Sequence, residues 1–324
     1  VQLRFISGSK ATVLRINATT DWVEVQGEPL QGTANTGWVT PNYLACTPGT
    51  WEPTADPLAW CPPQGSPAPH PSGRLRVATW NLENLHAQDG QSTSLTPRSS
   101  VTRTATDDDR LRCDLRLFDP DILVVQEVDG EAALNRVVDT EVYDVHVDDR
   151  PKGSLNGPQH PGFAWKRGLT VVRQPDVQGL DVHGDGRLRY GARIDVTHHG
   201  QTIQLKSGCF IQATASTDCP QLLAQVPVLE AWIDETARGA VPFIVLGDFN
   251  QRVNRLGDAV WADLDDGDPP HADLTALTQD MPMICRDRDY PVFIDHIVVA
   301  PRVLSWVDRT SFRQVTSRQA DKGD

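Results

Sequence analysis

The sequence predicts a mixed α/β protein, a layered sandwich of two sheets with helices outside, preceded by a small all-β module and a linker. Three observations predict it. Short runs rich in β-branched residues, separated by polar breaks, occupy the first 45 residues. Eight prolines fall between Cys46 and Gly73, interspersed with Gly, Ser and Thr, a composition that keeps a chain extended. From Arg74 onward, apolar runs of strand length alternate with longer amphipathic segments.

The elements follow in order. KATVLRI (10–16) and DWVEV (21–25) read as strands of a small sheet, and LRVATW (75–80) as the first strand of the larger region. Residues 107–118 read as a helix, with Leu111 and Leu115 four apart on one face. The unbroken apolarity of ILVV (122–125) marks a buried strand. Residues 188–196 and 202–205 form a hairpin around His199, Gly200 and Gln201. Leu222, Leu223, Val226, Leu229, Trp232 and Ile233 then fall at helical spacing, with Pro220 suited to the first turn. Pro227 lies inside that helix and is expected to kink or divide it. Residues 241–246 and 292–299 are the last strands.

The 324 residues, 39% of them hydrophobic, suit one large domain and one small one. No apolar run approaches the roughly 20 residues of a membrane helix, so no span is expected. A formal net charge of −13 argues against diffuse attachment to nucleic acid, which needs Lys and Arg to displace counterions from phosphates. A local basic patch is still compatible with it. The six cysteines at 46, 61, 113, 209, 219 and 285 lack CxxC spacing. They argue against a zinc ribbon and fit disulfides, hence an oxidising compartment. Cys209 with Cys219 and Cys46 with Cys61 are the candidate pairs.

Several strands end, or are interrupted, at carboxylates and carboxamides. WNLEN (80–84) carries Asn81, VQE (125–127) carries Glu127, GDFN (247–250) carries Asp248 and Asn250, and IDHI (294–297) carries Asp295. Taken singly, each has an ordinary structural reading: Asn81 as a helix cap, GDFN as a turn. Asp295 inside an apolar frame is costly to bury without a cation or a hydrogen-bond partner. Four such sites converging point to a hard cation held by oxygen ligands. Mg²⁺ suits them, because it binds few carboxylates, keeps waters and takes further ligands from a phosphate. Mn²⁺ and Ca²⁺ are alternatives.

In this order, WN…QE…GDFN…IDHI resembles the endonuclease/exonuclease/phosphatase superfamily, the deoxyribonuclease I-like fold, from Arg74 onward. The resemblance implies a four-layer α/β sandwich and in-line attack of water on a phosphoester. LKSGCF (205–210) is similar to a segment of a bacterial, exported branch. The resemblance implies Glu127 as the main Mg²⁺ ligand with Asn81 beside it. Asp248 and Asn250 would hold the phosphate or a second metal and position the water. Asp295 would orient a catalytic His from the chain's end, a role distinct from that of the neighbouring His296. Arg189, and more weakly Lys206, would contact phosphate. Gln204 stands where that branch has a His, so it could orient phosphate but not shuttle protons.

The family's closing SDH motif would begin near Gln319 to Asp324 and is absent, which implies an impaired general acid or base. TGWV (36–39) with NYL (42–44) resembles the closing signature of bacterial SH3-like (SH3b) domains. The expected organisation is therefore an N-terminally truncated SH3-like domain at 1–45, a linker at 46–73, and a phosphoesterase domain at 74–324 without its last strand.

The function expected from this is a monomeric, Mg²⁺-dependent phosphodiesterase or nuclease, secreted, periplasmic or attached to the envelope. Its SH3-like module would bind cell wall or a protein. The competing function is a non-catalytic protein that binds phospho-ligands or cell wall through a degenerate domain, favoured by Gln204 and the missing motif. The fold does not choose among nucleic acid, sphingomyelin and inositol phosphate as substrates. The low basic content tilts slightly toward a small or lipid phosphoester. HVDDR (146–150) and the polar loop 89–100 could border the cleft or be solvated surface.

Overall fold

The computed structural model describes residues 11–17, 22–27, 36–39, 73–91, 102–150, 159–184, 188–209, 220–239, 241–250, 253, 258–270, 273–278, 283–285, 288–290 and 294–312. The chain divides into two units, Val1–Ala59 with Ser317–Asp324, and Trp60–Thr316. In the first, β1 (Ala11–Asn17), β2 (Trp22–Gly27) and β3 (Thr36–Val39) form an antiparallel sheet in the order β1-β2-β3. Both strands expected there are present, and TGWV is the third. Asn42, Tyr43 and Leu44, and the proline-rich stretch 46–72, lie outside the described residues.

The second unit holds two larger sheets. One has the order β4-β5-β7-β6, from β4 (Val77–Leu85), β5 (Ile122–Val128), β6 (Tyr143–Val147) and β7 (His160–Lys166). The other has the order β12-β15-β11-β10-β9-β8, from β8 (Thr170–Val177), β9 (Gly191–His198), β10 (Gln201–Cys209), β11 (Phe243–Asp248), β12 (Thr275–Ala276) and, beyond the small ribbon of β13 (Met283–Cys285) and β14 (Arg288–Tyr290), β15 (Asp295–Val299). Among the described strands, only β4 with β5 and β10 with β11 run parallel. Parallel neighbours need a crossover, and helices supply both: α1 (Ala105–Phe118) and, beyond α2 (Gly130–Leu134), α3 (Pro220–Arg238).

Alternation along the strands builds the layers. Ile122 and Val124 of β5 face Ile244 and Leu246 of β11, with Phe163, Ile194 and Leu205 in the same core between the sheets. Leu123 and Val125 point the other way, onto Leu115 of α1 and Leu134 of α2. Phe243 and Val245 likewise point outward onto Leu229, Trp232 and Ile233 of α3 and Val260 of α4 (Ala259–Leu264). Both faces of β5 and β11 are thus buried, the physical reason their sequences are unbroken apolar runs. The result is the four-layer α/β sandwich of the deoxyribonuclease I-like type, with α5 (Pro301–Leu304) following its last described strand.

Details depart from expectation. Pro227 neither ends nor divides α3, which is continuous over its 19 residues. Pro227 and Leu223, the residue whose carbonyl loses its i+4 donor, are both exposed, so the missing bond falls on the solvent side of the helix, where it costs least. β4 does not stop at Trp80 but continues to Leu85, with an irregular register after Asn81. The motif WNLEN is therefore part of the strand. Among the described residues, no helix is long and apolar enough to cross a membrane.

Candidate active site

The motif residues meet because of strand direction. Asn81, Glu127 and Asp248 lie toward the C-terminal ends of β4, β5 and β11, while Asp295 opens the antiparallel β15 opposite Asp248. The backbone there is unusual. Glu83, Asn84, Glu127 and Asn250 have φ of 44°, 62°, 61° and 49°, and only two other described non-glycine residues have positive φ. Such conformations are disfavoured for L-residues and gather at functional sites.

Asn81 braces the centre. Its Nδ2 donates to Glu127 Oε1 at 3.1 Å and to Asp248 Oδ2 at 2.9 Å, while its Oδ1 accepts the Glu83 backbone N–H at 2.8 Å. A carbonyl oxygen keeps a second lone pair, so the expected place of Asn81 beside a cation would fall to Oδ1. Asp248 Oδ1 accepts the Asn250 backbone N–H at 2.7 Å, the bond that tightens the GDFN turn. Beneath them lies Gln126, fully buried, its Nε2 donating to Thr79 Oγ1 at 3.1 Å. Gly208 and Gly247 sit side by side in the β10–β11 pair. A Cβ on Gly247 would stand 1.9 Å from the Gly208 carbonyl oxygen and 3.0 Å from Gln126 Nε2. The glycines of LKSG and GDFN are thus what lets the floor of the site close.

Arg189 belongs to this cluster through Gln159, a residue that no motif in the sequence singles out. Arg189 donates from Nη2 to Gln159 Oε1, and Gln159 Nε2 donates to Asn84 Oδ1 and lies 3.4 Å from Glu127 Oε2. Arg189 is only 9% exposed, and its Nε has no partner among the described residues. Two further groups stand nearby: Arg103, which no sequence motif marked, and Asp148 of the HVDDR stretch. Arg103 donates to the Glu83 carbonyl at 2.7 Å, and burial lowers its pKa from the ordinary guanidinium value. Asp148 is hydrogen-bonded to His160 through Oδ1 and accepts the Tyr190 backbone N–H at 3.1 Å through Oδ2. HVDDR is accordingly not wholly solvated surface, for His146, Asp148 and Arg150 are buried.

Two expected phosphate contacts lie elsewhere. Lys206 is fully buried on the α3 side of its sheet, its Nζ 5.8 Å from the centre of the Trp232 ring, away from the inter-sheet face of Leu205. Gln204 pairs with Phe243 at the start of β11, whereas Asp248 pairs with Cys209. Five residues at about 3.3 Å each put Gln204 about 17 Å from the carboxylates. His296 also faces away, packed edge-on to Phe249 and hydrogen-bonded to Thr278 Oγ1 at 2.8 Å.

A sequence profile described as the Endonuclease/Exonuclease/phosphatase family matches residues 78–311, a span that takes in Asn81, Glu127, Asp248, Asn250 and Asp295. The chain belongs to this family. Its members are hydrolases acting on phosphoester bonds and generally use divalent metal ions. No curated protein matches the chain. Among solved structures, the chain is similar to TDP2 from C. elegans, with a TM-score of 0.48 and 14% identity over 70% of this chain and 64% of that one. This chain thus spans less than two thirds of the TDP2 chain. It is also similar to an endonuclease/exonuclease/phosphatase from Bacteroides vulgatus, with a TM-score of 0.48 and 16% identity over 70% and 87%. A third similar structure is the human Nocturnin catalytic domain with bound sulfate, with a TM-score of 0.44 and 17% identity over 70% and 83%.

The electrostatics of this Endonuclease/Exonuclease/phosphatase domain show what its carboxylates lack. Burial raises Asp248 to about 6, and the Glu127 charge adds to the rise, while the Asn250 and Asn81 N–H groups oppose it. Burial raises Asp295 further, to about 8, reinforced by Asp248 and Glu127. Among the described residues, no three His, Cys, Asp or Glu side chains form a metal cage on their own. The donor set nonetheless fits a divalent cation that takes one or two carboxylates and completes its shell with water and phosphate. Three mutually repelling carboxylates and an unpartnered guanidinium N–H are the surroundings that a cation and a phosphate oxygen would relieve.

Proposed function

We propose that the domain hydrolyses a phosphodiester, in nucleic acid or a small or lipid molecule, using Mg²⁺ held at Glu127 and Asn81. The observation that carries this reading is the Asn81 carboxamide, which draws Glu127 and Asp248 to 3.1 and 2.9 Å of one nitrogen beside Arg189. When bound, the cation would neutralise charge that develops on the phosphoryl oxygens. Arg189 binds the phosphate through the donors it aims into the site, a guanidinium being suited to forked contact with phosphate. Asp248 and Asn250 orient the phosphate and the attacking water. Asp295 is the proton-holding carboxylate at the same end, and Gln126 fixes the floor.

The test is hydrolysis of bis(4-nitrophenyl) phosphate and of double-stranded DNA with Mg²⁺. Glu127→Gln should lower the rate about a hundredfold or more, the scale of a lost metal contribution. Full activity in that variant overturns the reading.

Export to an oxidising compartment, with the SH3-like module as a tether to cell wall or a protein, completes the proposal. Cys113 in α1 is disulfide-bonded, and such bonds persist in secreted and envelope proteins. Recovery of the protein from the cytosol with a reduced Cys113 would count against it.

A further inference from the structure

We infer that Gln159 couples cation binding at Glu127 to phosphate capture by Arg189, an inference that rests on the reading of the site proposed above. Gln159 immediately precedes β7, and its backbone carbonyl is held by Arg150 Nη2 at 2.6 Å, so the residue is fixed where the two halves of the site meet. A guanidinium can only donate, so the Gln159 end facing Arg189 is its oxygen and the end facing Asn84 and Glu127 is its nitrogen. A carboxamide serves a cationic donor at one end and a carboxylate at the other without carrying charge itself. A carboxylate in its place would pair with Arg189 and repel Glu127, and an apolar residue would release both.

The arrangement has two settings. Without a cation, Glu127 Oε2 is available to Gln159 Nε2 at 3.4 Å, and Gln159 Oε1 in turn engages Arg189. A cation held at Glu127 would compete for that acceptor and release one N–H of Gln159 Nε2, while Asn84 Oδ1 keeps the other. That N–H would then join the guanidinium of Arg189, already held by Gln159 Oε1, as a second donor to a phosphate oxygen. Gln159 is in these terms a positioning residue. It makes the phosphate half of the site sense whether the cation half is filled.

The experiment is a calorimetric titration of inorganic phosphate into the whole chain, with and without Mg²⁺. In the wild type, Mg²⁺ should tighten phosphate binding about tenfold or more, a typical coupling between linked sites. Gln159→Met should reduce that factor about fivefold, the residue being only partly buried and the substitution close in volume, so that folding is retained. Gln159→Glu serves as a second variant, and should bind Mg²⁺ more tightly while weakening phosphate. A merely structural role would not shift these two affinities in opposite directions. If the coupling in Gln159→Met stays within about twofold of wild type, or if wild-type phosphate affinity ignores Mg²⁺, the inference fails and the site reading stands. If Glu127→Gln binds Mg²⁺ normally, the reading of the site fails, and the inference with it.

Discussion

Asp248 and Asp295 stand directly opposite one another in the antiparallel pair of β11 and β15, two carboxylates at the mouth of one sheet. Among the described residues, Arg189 is the basic group whose charge lowers Asp248, and none offsets the rise at Asp295. A fold selected for stability alone would not leave them so. Buried charge of one sign is costly, and its persistence across two strands marks this end of the sandwich as a site for something positive.

The pH dependence of stability follows. Asp295 is raised from the ordinary 3.8 to about 8, and Asp248 to about 6. The folded state therefore holds more protons than the unfolded state between these limits, and stability falls as pH rises across the window. Below about 4 the penalty is absent; above about 8 it is complete. Denaturation in EDTA should show a slope of up to about 1.4 kcal/mol per pH unit for each retained proton. Asp295→Asn should flatten it, and a slope unchanged in that variant would refute the assignment.

Cation binding should release protons for the same reason. At pH 7, Asp295 is largely protonated in the cation-free domain, and a divalent ion favours the charged form. Calorimetric titration with Mg²⁺ in buffers of different ionisation enthalpy should give a release of about one proton, diminishing above pH 8. A heat independent of buffer would show that Asp295 does not sense the ion.

The parts legible in the sequence are those where a residue conflicts with its immediate neighbours. Asp295 between Ile294 and Ile297, or Asp248 after a run of apolar residues, carries its anomaly locally. Gln159 does not. Its importance arises from β7 pairing with β5, where His160 comes level with Val128, and no short pattern announces that pairing. Lys206 illustrates a different loss. A strand residue faces one layer or the other according to register, and LKSG alone does not say that Leu205 takes the inter-sheet face and Lys206 the α3 face. Gln204 shares the α3 face with Lys206, beside Trp232 and Thr236, and is displaced along the strand as well. The strand β7 escaped sequence reasoning altogether, because His160–Lys166, with Pro161 and Gly162 in it, offers neither alternation nor a β-branched run.

Gly247 tests whether the floor of the site is built by backbone contact. Its φ of 143°, and the 1.9 Å that would separate a Cβ at this position from the Gly208 oxygen, leave no room for a side chain. Gly247→Ala should cost about 2–4 kcal/mol in chemical denaturation, combining strain with displacement of β10 from β11. Gly168→Ala makes a suitable control, since it also has positive φ, 93°, but meets nothing within 4 Å. Equal losses in the two variants would mean that only backbone strain matters.

Arg189 and Lys206 separate true phosphate contacts from apparent ones. Both are nearly or fully buried cations, at 9% and 0% exposure. Arg189 is linked through Gln159 to Glu127 and has a spare N–H, whereas Lys206 is packed against Trp232 on the far face of its sheet. Arg189→Met should therefore weaken phosphate binding about tenfold to a hundredfold, the worth of a charged hydrogen bond, with little change in melting temperature. Lys206→Met should do the reverse: phosphate affinity stays within about twofold while stability shifts, because the change falls in the core under α3. Binding titrations paired with thermal melts read both effects. A loss of phosphate affinity in Lys206→Met with none in Arg189→Met would place the anion on the other face of the sheet and remove Arg189 from the site.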